Sequence, residues 1–156
     1  MIYSWQELSQ QVETSVNSFD FSGKPDELYD PISYTMTLGG KRIRPTLCLL
    51  AAQLFGGNLL KANNLAMAVE VFHNFTLVHD DIMDEAPIRR GKPAVHAKWN
   101  RDIAILSGDV MFVQAYQLLA KGNPERLSEM LSVFNQTAIE VCEGQQLDMN
   151  FETRDD

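Results

Sequence analysis

The sequence predicts an all-α protein, built as an antiparallel helical bundle. Three observations carry this. No run of alternating Val, Ile or Thr is bounded by a hairpin turn, so strand signals are nearly absent. Helical patterns follow one another along the chain, and the breaks between them are short and rich in Gly, Pro and Asn. Short loops between long helices favour antiparallel neighbours.

Residues 1–17 form a weakly amphipathic first helix. Pro25 opens a second helix that runs toward Met36, with Pro31 arguing against one straight helix there. Gly39-Gly40 breaks the chain, and a third helix starts near Arg42 with Pro45 in its first turn, where a missing N–H does no harm. It ends at Phe55, before Gly56-Gly57. A long fourth helix covers residues 63–84 and is apolar on most sides, as a helix buried in a bundle must be. Residues 85–93, with Pro87, Gly91 and Pro93, make a turn. Asn100 caps a helix over residues 101–121. Asn123 caps a last helix that begins at Pro124 and runs to Phe151.

Bulk properties narrow the function without naming it. The chain has 156 residues, enough for one domain with a real core. A net charge of −8 makes it a poor general binder of nucleic acid or of anionic membranes. Any anionic ligand must then be caught by a local basic cluster. Cys48 and Cys142 sit in apolar surroundings and are read as reduced core residues. Residues 1–20 carry acids and no basic residue, unlike a signal peptide. No apolar run approaches the roughly 20 residues of a membrane span. The expectation is a soluble cytoplasmic protein without stable membrane insertion.

The informative stretch lies inside the apolar fourth helix. His73, Thr76, Asp80 and Asp84 are spaced by three, four and four residues, which puts them on one face. Asp80 and Asp84 stand one turn apart, roughly 6 Å along the axis. Asp81 lies about 100° around and adds a third carboxylate. Three such groups resist ionising together unless a cation compensates. Mg2+ does so well, because it takes oxygen ligands and is held by one or two carboxylates plus substrate phosphates. The rival reading is a solvated acidic helix end. Acid at a helix C-terminus opposes the dipole, however, so a local rule is broken here without visible structural gain.

Two basic clusters answer the carboxylates. Gly39-Gly40-Lys41-Arg42-Ile43-Arg44-Pro45 opens a helix, and Arg89-Arg90-Gly91-Lys92 follows the acidic run. Together they hold six of the 13 Lys and Arg residues. Arg offers a rigid fork to phosphate oxygens, Lys a point charge, and a helix N-terminus adds free N–H groups. Either cluster alone reads as plain surface. Beside a carboxylate stripe they describe a diphosphate site, with metal on one side and cations on the other.

These segments, with Gly108-Asp109 and Glu143-Gly144-Gln145 through Asp148, resemble the successive motifs of trans-polyprenyl diphosphate synthases, in order and at similar spacing. The resemblance covers nearly the whole chain. The aspartate motif alone would not separate these enzymes from terpene cyclases; Lys41 with Arg44 and Arg89 with Arg90 favour chain elongation. The resemblance implies the isoprenoid synthase bundle and a Mg2+-dependent prenyl transfer. Lys41, Arg44, His73 and Arg90 would hold isopentenyl diphosphate. Asp80, Asp84 and Asp81 would bind Mg2+ bridging to an allylic diphosphate, with Arg89 assisting. Asp80, Asp84 and Arg89 would thus serve ionisation of the allylic C–O bond, and Gln145 and Asp148 would line the same cavity. Phe75 and Thr76, below the carboxylates, would limit the growing tail, implying a short C15–C20 product. Similar enzymes pair as homodimers.

The resemblance fails in one respect. Such enzymes carry a second aspartate-rich motif in a chain about twice as long, and Asp155-Asp156 does not stand in for it. Residues 1–156 then correspond to the first half of an isoprenoid synthase domain, expected to be inactive as it stands. One alternative is a non-catalytic regulatory or scaffold subunit of a prenyl synthase, although the intact ligand set argues against a relic. Another is a metal-dependent phosphohydrolase using His73, His79, Asp80 and His96. His73 and His79 are about 240° apart around their helix and do not build one centre. His79 is read as a half-buried neighbour of Asp80, and His96 as a surface residue.

Overall fold

The computed structural model of the protein describes residues 2–152, in two compact units, Met1–Gly122 and Asn123–Asp156. Asp155 and Asp156 lie outside the described residues. The order among the described residues is α1 (Trp5–Ser18), α2 (Asp26–Thr37), α3 (Ile43–Leu54), α4 (Leu59–Met83), β1 (Ile88–Arg89), β2 (Lys92–Pro93), α5 (Val95–Lys98), α6 (Arg101–Ala120) and α7 (Leu127–Glu152). The all-α class is borne out.

Local chemistry explains most boundaries. Ser4 and Glu7 form a reciprocal capping box at α1, so that helix begins later than the sequence predicts. Asn58 caps α4 and moves its start forward to Leu59. Asn100 caps α6 as expected, accepting from the Ile103 N–H at 2.8 Å. Asn123 accepts from Glu125 N–H, but Pro124–Arg126 is a single 3₁₀ turn before α7 begins.

One expectation about the helices is corrected. Pro31 does not interrupt α2, which runs through it. Pro31 is only the sixth helical residue, so its missing N–H removes one bond near the open end, and the Thr35 hydroxyl donates to its carbonyl at 2.8 Å. The turn at residues 85–93 contains a minimal antiparallel ladder pairing Arg89 with Lys92. Its two-residue turn, Arg90-Gly91, has positive φ at both positions (53° and 76°), as a hairpin turn that matches strand twist requires.

α4 is the spine of the first unit. Ala66, Ala68, Val71 and Val78 are buried on several of its sides, and α1, α2, α3, α5 and α6 all pack on it. α6 runs antiparallel to it. Asn64 donates to the Lys121 carbonyl, Phe72 meets Phe112, and His79 meets the Ile105 carbonyl, so positions rise on one helix as they fall on the other. α1 and α3 are antiparallel by the same test: Tyr3 bonds Gln53, and Glu13 bonds Arg42. Leu8, Val12, Ile32, Met36, Leu49, Met111 and Leu119 fill the core between them.

One helix among the described residues, α6, is long and apolar enough to cross a membrane. This corrects the expectation that no run approaches that length. Ala104, Met111, Ala115, Leu118 and Leu119 of that helix are buried within the protein, as in the core helix of a bundle.

Candidate active site

The C-terminal half of α4 carries the site. Asp80 and Asp84 stand one turn apart at its end, where the Asp84 N–H donates to the Asp80 carbonyl at 2.9 Å. Asp84 is exposed and Asp80 half-buried. Asp81, one residue round, is buried. Arg89 on β1 explains how a carboxylate is held there: its Nε and Nη2 donate to Asp81 Oδ1 at 2.9 and 2.5 Å. The same Nη2 reaches Asp80 Oδ2 at 3.4 Å. The Asp81 hydrogen bond first, and then the charges of Asp81, Asp80 and Asp84, push the Arg89 guanidinium further toward its charged form, against its partial burial.

The cationic side comes from two loops. Lys41 is exposed in the loop before α3, and Arg44 is exposed in the first turn of that helix. Arg44 Nη1 lies 3.3 Å from His73 Nε2. Arg can only donate, so Nε2 of His73 accepts and its proton sits on Nδ1. Burial first, then the Arg44 charge, lowers the His73 pKa from its ordinary 6.5. Arg90, at the hairpin turn, donates through Nη1 to the Gly39 carbonyl. That bond joins the two basic clusters, which the sequence places 51 residues apart. Burial first, then the neighbouring Arg42, lowers the Arg90 pKa from its usual value.

Arg42, counted in the sequence among the phosphate-facing cations, has another task. It is buried, and its Nη1 meets Glu70 Oε1 at 2.5 Å, its Nε Glu13 Oε2 at 3.1 Å and its Nη2 the Met36 carbonyl at 2.8 Å. Asn74 completes the group by donating to Glu70 Oε1 at 3.0 Å. The backbone of Arg42 is left-handed (φ 47°, ψ 32°), a conformation costing about 1–2 kcal/mol for a residue with a Cβ. Glu70, a charge inside an apolar helix, was the sequence signal for this network.

Below the carboxylates, Phe75 turns toward α6. Its ring stacks on Phe112 at 5.0 Å, and Phe112 also meets Phe72 at 5.9 Å and Tyr116 at 5.1 Å. Thr76 is half-buried, its hydroxyl donating to the His73 carbonyl at 2.8 Å. Phe112 carried no signal in the sequence, because one aromatic in an apolar helix is unremarked until its partner is known.

The other candidates separate. His79 faces α6, against the Ile105 carbonyl at 3.2 Å and Asp109 at 3.9 Å, while His73 faces Arg44. They share no centre, as their angular separation predicted. Gly108 makes room for His79: a Cβ there would stand 2.4 Å from Nε2. His96, expected at the surface, is half-buried with an Nδ1 that is buried and without a hydrogen-bond partner. Cys48 is free and half-buried, its thiol pushed up to about 11 by burial. Cys142 is free but exposed, not in the core. Gln145 and Asp148 lie three residues apart on one face of α7, in the second unit.

Among the described residues, no three His, Cys, Asp or Glu side chains form a group that could hold a metal unaided. The donor set still fits Mg2+. Asp80 and Asp84 offer hard oxygens from accessible positions, and a Mg2+ ion held by two carboxylates takes its other ligands from water and substrate phosphate.

A family model described as polyprenyl synthetase matches residues 25–156. The chain is 46% identical over 148 residues to a geranylgeranyl diphosphate synthase of Methanosarcina mazei, covering 94% of this chain and 46% of that protein. It is 45% identical over 131 residues to a short chain isoprenyl diphosphate synthase of Methanothermobacter thermautotrophicus, covering 83% and 40%. A crystal structure of a geranylgeranyl pyrophosphate synthase superposes with a TM-score of 0.94 at 47% identity, covering 99% of this chain and 47% of that one. The chain thus spans about half the length of the relatives it matches. It belongs to the polyprenyl synthetase family.

Proposed function

We propose that this chain provides the diphosphate-binding and metal-binding face of a short-chain prenyltransferase, which condenses isopentenyl diphosphate with an allylic diphosphate to a C15–C20 product. One observation carries the proposal. Arg90, which follows the carboxylates in sequence, reaches the Gly39 carbonyl in the loop that presents Lys41 and leads to Arg44. That bond brings cations from two distant segments together, and Arg89, next to Arg90, bonds Asp81 and Asp80, which supports one site of cations and carboxylates.

Lys41, Arg44 and Arg90 bind the isopentenyl diphosphate, and His73 lines that pocket as a neutral ring beside Arg44. Asp80 and Asp84 would hold Mg2+, which supplies charge neutralisation for a departing diphosphate. Arg89, fixed by Asp81, aims a second positive group at the same leaving group. Phe75, backed by Phe112, closes the apolar end of the site and limits tail length. The relatives named for geranylgeranyl and short chain isoprenyl diphosphates support this size class. A second copy is the proposed partner; exposed Leu106 and Val113 on α6 support it.

The test separates the two substrates. Calorimetric binding of isopentenyl diphosphate is expected to fall at least tenfold, about 1.4 kcal/mol, in K41A/R44A and to change little in D80A. Binding of an allylic diphosphate with Mg2+ is expected to show the reverse. Equal losses for both ligands in both variants would overturn the assignment of two diphosphate positions.

A further inference from the structure

The network around Arg42 lies outside the groups that face a ligand, yet it ties the loop that holds Lys41 to α1, α2 and α4. Arg42 sits between Lys41 and Arg44 in the chain. Its guanidinium reaches α1 through Glu13, the last turn of α2 through the Met36 carbonyl, and α4 through Glu70. Glu70 stands three residues before His73, and Asn74, next to His73, locks the Glu70 carboxylate from the same helix. The Arg42 and Glu70 side chains are 2% and 3% exposed, so water does not share this pair. The left-handed backbone at Arg42 is a conformation that the surrounding contacts must impose on a residue with a Cβ. That turn separates the exposed Lys41 from the helix that carries Arg44. The Gly39 carbonyl, which receives Arg90, belongs to the same loop.

We infer that Arg42 and Glu70 are positioning residues, which set the backbone of residues 39–42 so that Lys41, Arg44 and Arg90 converge on one diphosphate. The inference rests on the proposed diphosphate site. A buried ion pair is weak evidence for stability, because an apolar pair of similar volume often replaces it without loss. What Met side chains cannot replace is direction: three donors in a fixed plane, each with its own acceptor. Placement of the loop, rather than folding, is what the pair supplies.

The experiment uses this chain, inorganic pyrophosphate without Mg2+ as the probe, so that the cationic position alone is read, and the double variant R42M/E70M. The double variant is expected to melt near the wild-type Tm and to bind pyrophosphate at least tenfold more weakly. R44A is expected to weaken the wild type, but to add little in the R42M/E70M background, a non-additivity that a merely structural pair would not produce. A retained Tm with unchanged affinity and fully additive R44A would overturn the inference. Should the double variant not fold, E70Q keeps the shape and removes one charge. It is expected to lose roughly three- to tenfold in affinity, and wild-type affinity in E70Q would overturn the inference equally. A ligand-free readout separates this inference from the reading beneath it. In the wild type, nitrogen shifts of neutral His73 are expected to report one tautomer, with the proton on Nδ1, because Arg44 donates to Nε2. In R42M/E70M or E70Q a mixture of tautomers is expected. A wild type that binds no pyrophosphate would sink the diphosphate site, and the His73 tautomer would still decide whether Arg42 and Glu70 place Arg44. An unchanged single tautomer would overturn that placement.

Discussion

Arg90 donates a hydrogen bond to the carbonyl of Gly39, 51 residues earlier in the chain. Both residues have a left-handed backbone, with φ of 53° and 77°. Two tight turns, each opened by a positive φ, therefore meet at one bond, and each presents its cations to the same space.

Gly40 shows how little room that meeting leaves. Its φ is +147°, and a Cβ there would stand 3.0 Å from Cζ and Nη1 of Arg90. The G40A variant is expected to lose about 1–3 kcal/mol of stability from the backbone alone. It is also expected to displace the Arg90 guanidinium, the flexible partner, and so to weaken pyrophosphate binding. Thermal unfolding and calorimetry on the same preparation check both parts. Wild-type affinity in a folded G40A would mean that Arg90 does not need this position.

Gly108 tests the packing of α6 on α4. Alanine there adds helix propensity of about 1 kcal/mol. The new Cβ would also fall 2.4 Å from Nε2 and 2.6 Å from Cδ2 of His79, whose ring Phe75 meets at 4.7 Å. Overpacking costs about 1–3 kcal/mol, so the clash should win and lower the Tm. The double variant G108A/H79A should recover part of the loss. A G108A protein as stable as wild type would contradict the close approach.

His73 gives a pH dependence with a definite sign. Its folded pKa lies below 6.5, mainly through burial and then through the Arg44 charge. Between that lowered value and about 6.5 the unfolded chain binds more protons than the folded one, so stability rises with pH in this window. Its contribution is complete above about 6.5 and is lost as pH falls through the folded pKa. Denaturant unfolding between about pH 5 and 7 should therefore show a steeper slope for wild type than for H73N. Identical slopes would contradict a neutral His73.

Phe75 and Phe112 predict product size. In this chain extended to the length of its relatives, F75A is expected to shift prenyl products to longer species, because it opens the apolar end that the stacked pair closes. F112A should shift them in the same direction. Sizing by chromatography checks this, and an unchanged distribution in both variants would remove the two rings from chain-length control.

The helices were legible because their signals are local. Asn100 before an apolar run, Gly56-Gly57 after one, and Pro45 in a first turn each act within a few residues. Pro31 misled because the cost of a proline depends on where the helix begins, and Pro25 sets that start only five residues before Asp30 and the ring at Pro31. The carboxylate stripe was legible from helical spacing. The distinction between Arg42 and its neighbours Lys41 and Arg44 was not. All three are cations in one short run, and only the placement of Glu70, Glu13 and the Met36 carbonyl decides which turns inward. The same holds for Asp81 beside Asp80: adjacent residues on α4 face different surroundings, and Arg89 claims the buried one.

The most direct measurement is binding of an allylic diphosphate to this chain by calorimetry, with Mg2+ and with a chelator, in wild type and D80A. Binding that requires Mg2+ in wild type, and that D80A abolishes while keeping its helical spectrum and Tm, is the result predicted here. Binding that is the same with chelator, or the same in D80A, would contradict a metal-assisted diphosphate site at the end of α4.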